Sequence, residues 1–168
     1  MIEARQLAIS DLDAVVALRH QALESHPHAF GAVPEEDRII AGGPREALFG
    51  TAGESVLFGA FESHALVGMT GLARAVGAKR RHKAIIWGMY VVPSSRRRGV
   101  GRMLLEVVVA EARKWPGVRQ LHLSVTEVAG EARRLYDSAG FVEWGREPRS
   151  LEWSGRFADE MHLALLLE

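Results

Sequence analysis

Along the chain the apolar positions change period several times, and each change predicts an element. Ile2 to Ala8 is the first strand candidate. Leu12, Val15, Val16 and Leu18 recur at mixed three- and four-residue spacing, as one buried helical stripe requires, and predict a helix running to about Ser25. Ser10 with Asp13 three residues on resembles a capping box at its start, with Asp replacing the usual Glu. "HPHAFG" breaks that helix. Pro34 before Glu35 and Glu36 marks a second start, with acids at the positive dipole end, and "AGGP" interrupts it near Gly42. This region reads as a lid.

Val56 to Phe61 and Leu66 to Arg74 are apolar runs separated by "ESHA", the spacing of an antiparallel hairpin. "AIIWGMYVV", Ala84 to Val92, is apolar nearly throughout and predicts a central strand covered on both faces. After Pro93, the positions Leu104, Leu105, Val107, Val108 and Ala112 mark a helix closing near Trp115. "QLHLSVT", Gln120 to Thr126, alternates as a strand. Ala129 to Ala139 is a short helix ended by Gly140, and strand candidates follow at Phe141 to Trp144 and Phe157 to Leu167. There is no repeat, low-complexity tract or linker, so residues 1–168 read as one α/β domain.

Composition narrows the chemistry. Twenty-one basic residues balance twenty-one acidic ones, which gives no whole-protein attraction to nucleic acid or an anionic membrane, so a basic site must be local. Cysteine is absent, which removes disulfides, thiolate metal sites and a cysteine nucleophile together. The seven histidines have no ligand spacing, and no metal is expected. The amino terminus is interrupted by Glu3, Arg5, Asp11 and Asp13, so neither a signal-peptide core nor a membrane span is expected, and the expected location is the cytoplasm.

The densest local chemistry is "VVPSSRRRGVGRMLLE", Val91 to Glu106, a strand end, a loop and a helix entrance with two glycines. Unpaired amides and the helix dipole make such an entrance an anion site, and a side chain at Gly99 or Gly101 would hold a phosphate away from the amides. A nucleotide-triphosphate loop needs Lys after its last glycine, where Arg102 stands. A dinucleotide fingerprint needs a third glycine where Leu104 stands. Arg96, Gly99 and Gly101 after "MYVVP" resemble motif A of the GCN5-related N-acetyltransferases, the GNAT superfamily. "EARRLYDSAGFVEWG", Glu131 to Gly145, looks like that family's closing helix and strand, with Ala132, Leu135, Tyr136, Gly140 and Phe141 in register.

The resemblance covers essentially the whole chain. It implies a mixed, mostly antiparallel central sheet with helices on both faces and a splayed strand pair that binds acetyl-CoA, the acyl-donor cosubstrate. In the family, pantetheine pairs along the strand matching Ile86 to Val91, which assigns backbone contacts to Met89 and Val91. The pyrophosphate falls to the loop holding Arg96, Arg97, Arg98, Gly99, Val100, Gly101 and Arg102. Tyr136 is the candidate acid that protonates the departing thiolate. Many relatives carry a glutamate on the motif A strand as the base, but "AIIWGMY" has no carboxylate. The remaining candidates are His122, with Ser124 as a neighbour, Glu35 or Glu36, and a water chain. Relatives often have asparagine where this chain has Ala129, which removes one polar contact. Trp87, Trp144 and Trp153 are candidates for an acceptor pocket or for core.

Three readings follow. The first is transfer of acetyl from acetyl-CoA to a primary amine, a small amine or amino-acid derivative, by direct attack. The second is a non-catalytic acyl-CoA-binding sensor of the same fold, favoured by the missing carboxylate and Ala129. The third, nucleic-acid binding through the arginines, lacks an aromatic stacking set and is not expected. Family members often pair through their last strands, so "MHLALLLE" is open to two readings, a homodimer seam and an ordinary buried strand.

Overall fold

The computed structural model describes residues 1–42, 46–50 and 53–167. One sheet holds seven strands in the order β1-β2-β3-β4-β5-β7-β6. They are β1 (Ile2–Gln6), β2 (Ser55–Glu62), β3 (Ala65–Arg74), β4 (Lys83–Val91), β5 (Gln120–Thr126), β6 (Val142–Trp153) and β7 (Arg156–Leu166). Only β4 and β5 are parallel neighbours. The helices are α1 (Leu12–Ser25), α2 (Glu46–Phe49), α3 (Val100–Lys114) and α4 (Gly130–Ser138). No helix of the described residues is long and apolar enough to cross a membrane.

Each face of the sheet builds its own core. Val100, Leu104, Leu105, Val108 and Ala112 form the buried stripe of α3 and join a cluster with Ala84, Ile86, Leu121, Leu123 and Val125. On the other face Val15, Leu18 and Ala22 of α1 and Phe49 of α2 join Leu57, Met69 and Tyr90. That second layer does not reach across the sheet. Ile85 is 42% exposed and Trp144 63%, so β5, β7 and β6 present one face to solvent. The all-apolar run of β4 therefore overstates its cover: only part of the strand lies under both layers.

A bulge bends β4 where this matters. Met69 pairs with Tyr90 and Gly71 with Trp87, leaving Gly88 and Met89 opposite Thr70 alone. Gly88 takes φ of 64°, the left-handed conformation that a glycine bulge requires. Across the pair, the indole of Trp87 occupies the space that a Cβ on Gly71 would need.

Several local expectations are corrected. The start of α1 is not capped by Ser10. Instead the Asp11 carboxylate accepts the Ala8 amide at 2.9 Å and grips Arg5 at 2.8 Å. Pro34 opens only a single 3-10 turn, Pro34–Glu36. In the segment read as a lid, the Arg19 guanidinium meets Asp37 at 3.0 Å in a buried ion pair, and Asp37 also accepts the Ile39 amide. Gly43 and Pro44 of "AGGP" lie outside the described residues. The strand expected to end at Trp144 runs on to Trp153. Two register shifts, at Glu143/Gly145 and Glu147/Leu151, break the alternation that would have marked it.

The bond from Arg5 holds the Asp11 carboxyl down at about 2, whereas the unfolded chain titrates near the ordinary carboxylate value of about 4. A lowered carboxylate pKa stabilises the fold above the unfolded value, and this contribution is lost as pH falls through the folded one. Asp11→Asn should therefore cost on the order of 1 kcal/mol at pH 7, discounted for the half-exposed Arg5, and almost nothing at pH 2. Urea unfolding of both proteins at the two pH values measures the difference.

Candidate functional site

Register fixes the site. Beside β5, strand β4 is paired only through Lys83, Ala84 and Ile85, whose partners are Gln120, Leu121 and His122. Beyond Ile85 the two strands part, and the edge of β4 that faces β5 has no strand partner among the described residues. Two helices begin at this opening. Gly99 precedes α3 with φ of 80°, and the first intrahelical bond runs from the Met103 amide to its carbonyl. The amides of Val100, Gly101 and Arg102 consequently have no partner among the described residues. A Cβ on Gly101 would lie 3.2 Å from Leu135, so the glycine lets α4 approach closely. At α4 the first bond runs from Arg133 to Ala129, which leaves the amides of Gly130, Glu131 and Ala132 in the same condition. Ala129 makes no side-chain cap.

Both helix starts line one cleft of about 810 Å³, with Met89, Tyr90 and Val91 along one wall. Arg96, Arg97, Arg102 and Arg134 also line it, and among the described residues Glu131 is the one acidic residue that does so. Two positive dipole ends, unpartnered amides and arginines at the rim suit an elongated anion with a phosphate group. The cleft continues past the parted strands to the loop after α1, where His26, His28 and Phe30 line it.

The three consecutive arginines separate into different roles. Arg96 is built into the wall: its guanidinium donates to the Val91 carbonyl at 2.9 Å and to His26 Nε2 at 3.0 Å, and lies over the Tyr90 ring. Burial first, then the charges of Arg96 and His28, lowers the His26 pKa. His26 Nδ1 is left to pair with Ser25 Oγ at 2.7 Å. Arg98 is turned away and forks onto Glu62 at the end of β2, at 2.9 and 2.6 Å. Arg97 and Arg102 keep exposed guanidinium groups, with only loose or intrahelical carboxylate partners. Of the three, Arg97 is thus the one free to meet a ligand with its side chain.

Tyr136 is 5% exposed, packed edge-on against Phe141, and is not among the residues that line the cleft, although its neighbour Leu135 is. Burial raises its pKa, so the hydroxyl stays protonated through neutral pH. His122 also lies outside the cleft. It projects from the solvent-facing side of β5, bonds Gln120 at 3.0 Å and sits edge-on to Trp144. Burial, then Lys83 and His82, lowers its pKa. Glu35 and Glu36 are exposed and are not among the residues that line the cleft. Trp87 covers Gly71, Trp144 stacks on His162, and Trp153 contacts His28 across the loop. Sequence reasoning missed His26, His28, Phe30 and Arg134. "HPHAF" served only as a helix break, while Arg134 adjoins the matched Leu135 and was within reach of the motif.

Known proteins share this architecture. The acetyltransferase of GNAT family from Streptococcus pneumoniae superposes with a TM-score of 0.84 at 20% identity, covering 99% of this chain and 100% of its own. The yncA protein from Salmonella typhimurium, solved with its cofactor acetyl-CoA, gives 0.83 at 21% over 99% and 94%. The ribosomal-protein-alanine N-acetyltransferase from Brucella melitensis gives 0.77 at 22% over 98% and 99%. No curated protein matches the chain. The sequence model of the acetyltransferase (GNAT) family matches residues 9–141, and the chain belongs to that family.

Proposed function

We propose that this protein transfers acetyl from acetyl-CoA to a primary amine, a small amine or an amino-acid derivative, by direct attack without a covalent enzyme intermediate. The observation that carries the reading is the single cleft joining two helix starts to the parted edge of β4. Its cradle suits the donor's pyrophosphate: among the described residues the amides of Val100, Gly101 and Arg102 have no partner, and a Cβ on Gly99 would meet no atom within 4 Å. Arg97 and Arg102 would add charge there, and Arg134 at the α4 side. The edge of β4 from Ile86 to Val91 offers backbone groups to an amide-bearing arm, with Met89 lining the cleft. The Val91 carbonyl already accepts from Arg96. Bound acetyl-CoA supplies an activated acyl group. The chain contributes orientation of the two reactants and a protonated tyrosine, Tyr136, on the buried face of α4, together with exclusion of water by Leu135, Val128 and Phe30.

The buried ring of Tyr136 keeps the second reading, an acyl-CoA-binding sensor, in play. Binding and turnover separate the two. Thermal unfolding with acetyl-CoA, CoA, ATP and NAD in parallel should show stabilisation by both CoA species, about 2.7 kcal/mol at one hundred times Kd, and none by NAD. No shift with either CoA species would reject the site.

Tyr136→Phe should leave that stabilisation unchanged and lower acetyl transfer to a free-amine acceptor by about a hundred-fold, the usual worth of a positioned acid. Equal turnover at all pH values would remove Tyr136 from the chemistry.

A further inference from the structure

Behind the slit between β4 and β5, on the face that α1 and α2 leave uncovered, three polar side chains stand in line. Leu121, Leu123 and Val125 of β5 are buried with α3, so the alternation of the strand sends His122, Ser124 and Thr126 to the opposite face. His122 is level with Ile85, the last residue paired to β4, so Ser124 is the first outward side chain past the point where the strands separate. Its Oγ lies 2.8 Å from Nδ1 of His162, its direct cross-strand neighbour on β7. On the far side of that ring, Nε2 faces Glu147 of β6 at 3.6 Å. Trp144 stacks on the imidazole at 5.4 Å and 28°, which restricts its rotation. Thr126, the next outward residue, is buried, and its hydroxyl has no partner among the described residues.

We propose that Ser124, His162 and Glu147 form the proton relay that deprotonates the acceptor amine, which enters from this open face and meets the donor through the slit. The inference rests on the acetyl-transfer reading above. Ser124 Oγ accepts a proton from the ammonium as it passes its own to His162 Nδ1. The freed amine attacks the thioester carbon, the C–N bond forms and the C–S bond breaks. The second nitrogen proton ends on the departing sulfur, and the imidazolium returns its proton to water. The products are amide, CoA thiol and one proton, with no redox partner required. Ser124 touches the amine, whereas His162 acts through it and Glu147 positions the ring.

The surrounding charges fit an imidazolium intermediate. Glu147 and Glu160 share this face of β6 and β7, and Glu160 is held by Ser150 at 2.6 Å. The opposing groups, His122 with Lys83 and His82, stand toward the β4 side. His122 itself is less suited, because Gln120 occupies its Nε2 and it projects before the strands part.

Two measurements on the full chain test the relay. The first reads ring ¹⁵N shifts of His162, assigned with His162→Gln. The relay needs Nδ1 unprotonated and Nε2 protonated in the neutral ring, so a dominant Nδ1–H tautomer overturns it. The second follows CoA release against pH, with an alanine-initiated peptide and benzylamine as acceptors. Ser124→Ala and His162→Gln should each lower kcat at pH 7 by about a hundred-fold, with KM for acetyl-CoA unchanged and the loss shrinking as pH approaches the amine's own pKa. Glu147→Gln should move the pH limb more than the alkaline plateau. Wild-type turnover with unchanged pH profiles in both variants overturns the relay and leaves acetyl transfer intact. Absence of stabilisation of the wild type by acetyl-CoA instead rejects the transfer reading, and if neither amine is acetylated the tautomer decides the relay alone.

Discussion

The structure depends on two parallel strands that stay together for only three residue pairs. A strand edge inside a sheet is costly to leave unpaired, since each buried amide or carbonyl without a partner forfeits its hydration. Here the cost is met from both ends. The glycine bulge at Gly88 bends β4 away from β5, and the chain after β4 turns at once into Pro93 and the arginine loop. Arg96 then folds back to take the Val91 carbonyl. The opening is therefore a cleft whose β4 wall is partly fastened by the protein itself.

Electrostatics follow from that geometry more than from composition. The chain has no net charge, yet two helix starts aim their positive ends into one space. Of the arginines beside it, Arg98 is held by Glu62 and Arg96 by a carbonyl and a neutral histidine, so neither is free. The basic run is thus partly structural fastening. The other arginines that line the cleft are Arg97, Arg102 and Arg134, enough for a compact anion and too few for a polyanion track.

The order of elements along the chain, the motif A helix and the α4 capping glycine were legible in the sequence because each rests on local chemistry: a proline stop, a left-handed glycine, a 3.6-residue stripe. Gly140 at φ of 88° ends α4 where expected. The length of β6 was hidden, since Pro148 and two register shifts interrupt its alternation. The cover of β4 was misread for a different reason. An apolar run reports burial summed over both faces, but α1 reaches Met69 and Tyr90 and stops short of Ile85. His122 looked chemical by residue type, and only the register of β4 against β5 shows that it projects before the strands part. The partnership of Ser124 with His162 spans 38 residues and exists only through the β5–β7 pairing, so no motif could announce it.

At one position of β4, Gly88, the structure disfavours a carboxylate. At the bulge the backbone takes a conformation that L side chains rarely adopt, so Gly88 cannot readily be an acid. The space beside it is also occupied: a Cβ on Gly88 would lie 3.5 Å from Arg19 Nη1, a buried nitrogen with no hydrogen-bond partner among the described residues. Arg19 is in turn fixed by Asp37 and the Phe30 ring. Any carboxylate introduced here would pair with that guanidinium, which would lower its pKa and make it a poor base. In the proposed relay the proton acceptor for the amine comes from another strand. The face left bare by α1 is where β5 and β7 place hydroxyl and imidazole side by side, under a tryptophan that fixes the ring. The incomplete second layer and the proposed relay are in this sense one feature: a helix over β5 would bury Ser124 and close the route that the proposal gives the amine.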